Sequence, residues 1–197
     1  MSDRNQSANE EKLLLTAIDL ISEKGYNGVS TKEIAATAGL SEKTLFRYFG
    51  SKQNMLETAF DRFHYGHEMT RLFQEKLTGD LSADLLLISR TYHELMNRNR
   101  KMILISIKDE GNLPGFKERT QKHPRQLLTI LTNYFTEMAG KGNISGKDPQ
   151  LLALSFMMMN FGAFMNDLEA GANYFPHVTL EAFIEEGVRV FTRALTP

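Results

Sequence analysis

Apolar residues along this chain recur mostly three or four positions apart, the spacing that places them on one face of an α-helix. The first such stretch begins near Glu10 and ends at Gly25. Its apolar positions are Leu13, Leu14, Ala17, Ile18 and Ile21. No stretch of useful length alternates apolar and polar residues as a half-buried strand does. The pattern therefore predicts an all-α fold of about nine helices.

Two short helices joined by a tight turn are predicted between Ser30 and Lys52. Ser30 and Glu33 form a capping box, in which each residue satisfies an unpaired amide at the start of the first helix. Gly39 can adopt the left-handed conformation that ends a helix, and Ser41 can cap the next one. Two helices separated by such a turn are typical of a helix-turn-helix.

The apolar positions of these two helices fall on one face and leave a polar face outside. The residues predicted to be buried are Ile34, Ala38, Leu40, Leu45 and Phe49. Those predicted to project from the second helix are Lys43, Thr44, Phe46, Arg47 and Tyr48. Such side chains can donate to phosphates, contact base edges and pack on thymine methyl groups. The second helix is therefore predicted to bind DNA.

Residues Thr31 to Lys52 fit the pattern T-x-x-I-A-x-x-A-G-x-S-x-x-T-L-F-x-Y-F-x-S-K. This stretch resembles the TetR (TetR/AcrR) family of bacterial transcriptional regulators, and the match extends over about Lys12 to Phe60. The resemblance implies that the helix Glu42 to Phe49 lies in a major groove, with two such grooves about one turn or a small multiple apart. The positions it assigns to DNA contact are Thr31, Lys32, Lys43, Thr44, Phe46, Arg47, Tyr48 and Lys52.

Two of these positions limit what the resemblance transfers. Phe46 replaces the tyrosine that is commoner in the family, so a hydroxyl that often reaches phosphate is missing. Arg47 occupies a position that varies widely among members. The operator sequence therefore does not carry over.

Composition argues against general electrostatic binding to nucleic acid. The chain has 197 residues, 42% of them hydrophobic, and a formal net charge of -1, so DNA contact requires a local basic patch. It has no cysteine, which fits a reducing cytoplasm. The N-terminus lacks the apolar core of a signal peptide. The longest apolar run, Leu151 to Met165, is shorter than the roughly 20 residues of a membrane helix. We expect a cytoplasmic protein with no membrane partner.

The sequence suggests a disordered arm over residues 1–9, a helix-turn-helix domain over 10–55 and a ligand-binding and dimerisation domain over 56–197. A long helix from Ser51 to Lys76 would act as a lever between the two domains. Pro124 would kink its helix or start that helix's second part. The other predicted helices are Ser82–Asn97, Met102–Ile107, Phe116–Ala139, Asp148–Ala172 and Thr179–Leu195.

The segment Leu151 to Met165 is apolar on nearly every face, which predicts burial on every face. A second subunit can supply that burial, and the resemblance also implies that the last two helices form a four-helix dimer bundle. A well-filled monomeric core is the alternative. The interface residues predicted on these two helices are Gly162, Ala163, Phe183, Gly187, Val190 and Phe191.

Methionine and phenylalanine residues in the same segment suggest a soft wall for a small apolar or amphipathic effector. Packing alone explains them equally well, and both explanations can hold on opposite faces of one helix. The residues predicted to contact the effector are Tyr92, Met96, Phe116, Tyr134, Met157, Asn160, Phe161 and Phe164. The identity of the effector does not follow from the sequence.

Signals for catalysis are weak. The segment His93 to Asn97 lacks the second histidine of a zinc protease motif, and His64 with His67 has no third ligand. We therefore expect no enzyme, cofactor or metal, and interpret the chain as a homodimeric repressor of a palindromic operator in double-stranded DNA. Two alternatives remain, a constitutive DNA-binding protein and a helical small-molecule-binding protein or enzyme.

Overall fold

The computed structural model describes residues 2–63, 66–109, 111, 116–145, 148–168 and 177–196. These residues form helices and loops, with no strand among them. The helices are α1 (Ser2–Lys24), α2 (Thr31–Thr37), α3 (Glu42–Phe49), α4 (Lys52–Arg62), α5 (Gly66–Glu75), α6 (Leu81–Arg98), α7 (Arg100–Lys108), α8 (Phe116–Gly140), α9 (Pro149–Leu168) and α10 (Leu180–Leu195). The predicted all-α class is confirmed.

The helix count differs slightly from the expected nine because one predicted helix is described in two parts. The helix expected over residues 51–76 is present as α4 and α5, on either side of residues 64 and 65, which lie outside the described part of the chain. Pro124 lies inside α8, and α8 is described as one helix.

The chain forms two compact units, and the first is not contiguous in sequence. It consists of Met1–His64 together with Asn99–Gln121, while Tyr65–Arg98 and Lys122–Pro197 form the second. The expected division at residues 55 and 56 missed this arrangement. The reason is tertiary packing, because Met102 and Ile105 of α7 lie in the apolar core that α1 to α4 build.

Helix α1 begins at Ser2, so residues 2–9 continue the helix that was expected to start near Glu10. Apart from Ala8 these residues are polar. Extension of an existing helix nevertheless gains one backbone hydrogen bond for each residue that is added. The Gln6 side chain also donates to Glu10 Oε1 one turn later, at 3.1 Å. A lack of apolar residues therefore did not prevent helix formation here.

The first unit buries the residues that the apolar spacing predicted, except Leu40, which is only partly buried against the core. Gly25, with φ of 74°, ends α1 and turns the chain toward α2. The buried core contains Leu13, Leu14, Ala17, Ile18, Ile21, Val29, Ile34, Ala35, Ala38, Leu45, Phe49, Met55, Leu56, Ala59, Met102 and Ile105. This core holds α2 and α3 at fixed positions against α1 and α4.

In the second unit, α6 packs against α5, α9 and α10. The start of α6 differs from the prediction, because Asp80 rather than Ser82 caps it, accepting from the Ala83 amide at 2.8 Å. Asp148 and Thr179 cap α9 and α10 as their positions suggested. Arg90 of α6 forms an ion pair with Glu181 of α10.

Helix α9 is less buried within the protomer than its composition suggested. It covers 20 residues with a mean hydropathy of 1.3 in its most apolar window, enough by length and composition to cross a membrane. The helix reaches this length because it includes residues on both sides of the apolar run Leu151 to Met165, and core helices of soluble proteins pass the same test. Only 33% of the window is buried within the protomer. Phe156 and Phe164 are buried, whereas Leu151 and Met158 are 62% and 46% exposed.

Candidate DNA-binding site

Three serine caps define the helices of the candidate DNA-binding site. The side chains of Ser30, Ser41 and Ser51 each accept a hydrogen bond from the amide three residues later, at 3.0–3.1 Å. Gly39, with φ of 66°, provides the left-handed turn between α2 and α3. The predicted helix-turn-helix is therefore present with its predicted boundaries.

Charged side chains join α1, α2 and α3 at the surface of the helix-turn-helix domain. Glu33 accepts from Lys24 Nζ at 2.6 Å, which ties α1 to α2. This bond, reinforced by the Ser30 amide, lowers the pKa of Glu33. Thr31 Oγ1 donates to Glu42 Oε1 at 2.6 Å, which ties α2 to the first turn of α3. These contacts hold α3 in one orientation relative to α2.

Helix α3 exposes three of the five side chains that the sequence pattern placed outside, whereas Thr44 and Tyr48 are half-buried. Lys43 and Arg47 are exposed, and Phe46 is 46% exposed although it is apolar. On the opposite face, Leu45 and Phe49 are buried. An exposed aromatic ring between two cations is suited to a groove that offers both phosphates and thymine methyl groups.

Arg47 and Tyr48 form a pair on this outer face. Arg47 Nη2 donates to the Tyr48 hydroxyl at 3.1 Å, and its guanidinium lies 4.8 Å from the centre of the tyrosine ring. The Tyr48 ring in turn packs edge-on against Phe49. The buried Phe49 therefore positions Tyr48, which in turn restricts Arg47.

Lys52 occupies a different environment from the one its position suggested. Its Nζ donates to the carbonyl oxygens of Tyr26 and Val29, at 2.6 and 2.7 Å, and lies 4.0 Å from the centre of the Tyr26 ring. Burial lowers the pKa of Lys52, and the negative charge of Asp109 opposes this shift. The ammonium group is thus engaged by the loop between α1 and α2.

Asp109 helps to hold the α1–α2 loop, and the sequence analysis did not identify it. It lies at the end of α7, is 5% exposed, and accepts from the Tyr26 amide at 3.0 Å. Lys52 and Asp109 therefore bind the α1–α2 loop from two helices distant in sequence. No local sequence motif around Asp109 predicts this contact, because its partner Tyr26 lies 83 residues away.

Most residues predicted to contact an effector are buried in the second unit. Phe161 is half-buried, and the side chain of Phe116 lies outside the described part of the chain. Tyr134 donates to Asp84 Oδ2 at 3.1 Å, and burial together with this negative charge raises its pKa. The buried predicted residues are Tyr92, Met96, Tyr134, Met157, Asn160 and Phe164.

The predicted interface residues divide into two groups. Phe183 and Val190 are 38% and 53% exposed, and Gly162 has open space where a Cβ would stand. Gly187 instead faces its own protomer, because a Cβ there would lie 2.5 Å from Met159 Sδ.

Phe191 likewise packs within the protomer, with its ring centre 5.3 Å from that of Phe156. Ala163 is half-buried.

The described residues contain no group of three or more metal-ligating side chains. His67 lies on α5, and its proposed companion His64 falls outside the described residues. The expectation that this histidine pair holds no metal therefore stays a prediction.

Comparison with known proteins gives a consistent family. Residues 13–59 match the bacterial regulatory proteins of the tetR family. The uncharacterised HTH-type transcriptional regulator YvkB of Bacillus subtilis (strain 168) is 28% identical over 186 residues, covering 94% of this chain and 96% of YvkB.

Solved structures show the same fold. A TetR-family transcriptional regulator from Mesorhizobium loti MAFF303099 superposes with a TM-score of 0.74 at 19% identity, over 98% of each chain. AibR, in complex with isovaleryl coenzyme A and operator DNA, superposes with a TM-score of 0.67 at 21% identity, over 93% of this chain and 98% of AibR. With the helix-turn-helix geometry, the match over residues 13–59 shows that the chain carries the DNA-binding domain of the bacterial regulatory proteins of the tetR family.

Proposed function

We propose that this regulator is a homodimeric repressor that an apolar or amphipathic effector releases from a palindromic operator. The observation that carries the proposal is the outer face of α3, where Lys43, Phe46 and Arg47 are exposed above a buried Leu45 and Phe49. A helix with this polarity fits the major groove of B-DNA, which is about 12 Å wide.

The proposed DNA contacts fall into two kinds. Lys32 and Lys43 would contact phosphates, while Phe46, Arg47 and Tyr48 would contact base edges or thymine methyl groups. Thr31 stays in the proposed set, although its hydroxyl donates to Glu42 in the free protein. Thr44 is half-buried, and its hydroxyl lies 2.8 Å from Ser41 Oγ at the first turn of α3. Lys52 also stays in the proposed set, because its ammonium group holds the loop between α1 and α2.

The homodimer accounts for the uncovered face of α9. Exposed apolar side chains lie at Leu151, Leu154 and Met158, three or four residues apart, and Gly162 continues the same face. Phe183 and Val190 supply a second apolar stripe on α10. A two-fold axis through these stripes would pair each with its counterpart and remove the apolar area from water.

The effector is proposed to bind in the second unit. AibR binds isovaleryl coenzyme A, and its fold matches this chain. Here the side chains of Tyr92, Met96, Met157 and Phe164 are buried and mainly apolar. Methionine and aromatic side chains of this kind adapt to apolar ligands of varied shape. As a regulator of this family, the protein would act in the cytoplasm.

Retention of genomic fragments by the pure full-length protein tests this function. We expect the wild type to enrich fragments that share a two-fold symmetric sequence, and a Lys43→Ala/Arg47→Ala variant to lose that enrichment. Repeating the capture with an acyl-coenzyme A series should release the fragments for at least one chain length. Retention that no effector alters would favour a constitutive DNA-binding protein, and the absence of retained DNA would contradict the proposal.

A further inference from the structure

Helices α6 and α9 share a buried set of polar side chains that lack hydrogen-bond partners. Ser89 and His93 lie one turn apart on α6, and Asn160 lies on α9. They are 0%, 3% and 3% exposed. Within the described part of the chain, Ser89 Oγ, both ring nitrogens of His93 and Asn160 Oδ1 make no hydrogen bond. These three residues are called the polar trio below.

The orientation of Asn160 is set by its own helix. Its Nδ2 donates to the Phe156 carbonyl at 2.9 Å, which leaves Oδ1 as the free atom of the amide. Asn160 also lies beside His93 and acts to raise the pKa of the imidazole, although their approach falls short of a full hydrogen bond. The three residues therefore lie on two packed helices and retain spare hydrogen-bonding capacity.

Asp84 of α6 shows that the second unit can supply hydrogen-bond partners to a buried polar side chain. Asp84 is 1% exposed and accepts hydrogen bonds from the Thr78 amide, the Thr78 hydroxyl, the Gly79 amide and the Tyr134 hydroxyl. Buried polar atoms without partners are uncommon, because each retains the cost of leaving water. The unpaired atoms of the trio are therefore available to hydrogen-bond a ligand or an ordered water.

The charges around the trio restrict what that partner can be. Burial lowers the pKa of His93 despite opposing effects of Asn160 and the charge of Asp167, so the imidazole is neutral near pH 7. A neutral imidazole offers one donor and one acceptor, a serine hydroxyl offers both, and Asn160 Oδ1 offers an acceptor. None of these three side chains carries a positive charge at that pH, so the trio offers no cation to pair with a buried carboxylate.

We propose that the polar trio binds the uncharged hydroxyl or amide head of an otherwise apolar effector. Such a head both donates and accepts, which matches the mixed capacity of Ser89, His93 and Asn160. The apolar remainder of the molecule would lie against neighbours on the same two helices, such as Met96 and Phe164. This proposal rests on the proposed effector-binding function and specifies the chemistry of its ligand.

Calorimetry with three ten-carbon probes tests the choice of head group. We expect full-length protein to bind decan-1-ol and decanamide about tenfold or more tightly than decanoate, the effect of one well-paired hydrogen bond. Ser89→Ala and His93→Leu should each reduce this preference severalfold. Ser155→Ala, at an exposed position of α9, is the matched control and should leave the preference unchanged.

Thermal unfolding without ligand separates this role from a structural one. Because the trio is unpaired in the free protein, Ser89→Ala and His93→Leu should keep or raise the melting temperature. Asp84→Ala, which removes a fully paired side chain, should lower it. Equal binding of all three probes, or unchanged preference in both variants, would mean that the trio holds only ordered water and would overturn the proposal.

Failure of this proposal is distinguishable from failure of the proposed function. Genomic fragments retained by a protein that shows no head-group preference would contradict the trio assignment alone. A head-group preference in a protein that retains no DNA would leave the trio assignment standing and remove the repressor function.

Discussion

Lys52 follows a glycine and a serine at the start of α4, where a cation is expected to meet a DNA phosphate. Its Nζ is instead bonded to the carbonyl oxygens of Tyr26 and Val29. Lys43, by contrast, is exposed on α3. The two lysines therefore differ in what their removal should change, although both belong to the proposed DNA-binding set.

Lys52→Ala should destabilise the helix-turn-helix domain, because two partly buried carbonyl groups lose a charged donor. We expect the free energy of unfolding to fall by about 1–3 kcal/mol. Lys43→Ala should leave stability unchanged and reduce the slope of log affinity against log salt by about one unit. Thermal unfolding and DNA titrations at several salt concentrations measure both effects. A full unit lost from the slope in Lys52→Ala, with an unchanged melting temperature, would instead support a direct phosphate contact.

His93 makes stability depend on pH in a predictable direction. Its pKa is lowered in the folded chain from an ordinary value of 6.5, mainly by burial, so the unfolded chain takes up the proton more readily. Stability is therefore full above pH 6.5 and falls as the pH drops from there toward the folded pKa, by up to about 1.4 kcal/mol per pH unit.

Unfolding by denaturant between pH 5 and 7.5 should show this loss in the wild type and a flatter profile in His93→Leu. His177→Gln, at an exposed position, is the control and should keep the wild-type slope. A wild-type slope in His93→Leu would show that other groups cause the acid sensitivity.

Among the helices, α3 combines a buried face that sets its orientation with an outer face free to read DNA. Leu45 and Phe49 anchor it, and Glu42 accepts from Thr31 of α2. Arg47 and Tyr48 on its outer face contact each other directly through a hydrogen bond and a cation–ring contact. Substitutions at the two positions are therefore not expected to act independently.

Arg47→Ala should change the order in which duplex sequences are preferred, with a loss of about 1–3 kcal/mol at the base pair that it contacts. Tyr48→Phe should produce part of the same change, since it removes the hydroxyl that accepts from Arg47. Selection from a random duplex pool followed by sequencing provides the measurement. A uniform loss of affinity across all sequences would rule out direct readout by Arg47.

The molecule as a whole leaves an apolar surface uncovered in a single protomer. This surface includes Leu151 and Met158 of α9 and Val190 of α10, and Gly162 lies among them with open space around it. Gly187 and Phe191 belong to the packing inside the protomer. A clean test of the dimer therefore substitutes Gly162 and leaves Gly187 unchanged.

Gly162→Glu should place an unpaired carboxylate in the proposed interface and raise the dimer dissociation constant at least a hundredfold, because burying such a charge costs several kcal/mol. Affinity for a palindromic operator should fall with it, since the half-sites lose their linkage. Sedimentation measures the assembly, and Thr129→Glu at an exposed position of α8 serves as control. An intact dimer in Gly162→Glu would exclude this interface.

Effector and operator should weaken each other's binding by the same factor, because coupling free energy is reciprocal. A coupling of about 1–3 kcal/mol would loosen DNA about 5- to 150-fold. Calorimetry of an effector with and without operator duplex determines the factor. Equal effector affinities would show that the ligand is not an inducer.

The sequence by itself determined the helix-turn-helix and most helix boundaries. The caps at Ser30, Ser41 and Ser51 and the turn at Gly39 are set by residues within about one helical turn of each other. The exposed positions of α3 follow from the period of the helix in the same way. Local signals of this kind can be recognised without knowledge of the rest of the fold.

Tertiary structure alone decided which distant segments meet. Asp109 reaches the Tyr26 amide across 83 positions, and Met159 faces Gly187, which turned an expected interface glycine into an internal contact. The unpaired state of His93 is likewise a property of two packed helices. Such pairings depend on how apolar faces are matched across the whole chain, and helical periodicity specifies that a face is buried without specifying its partner.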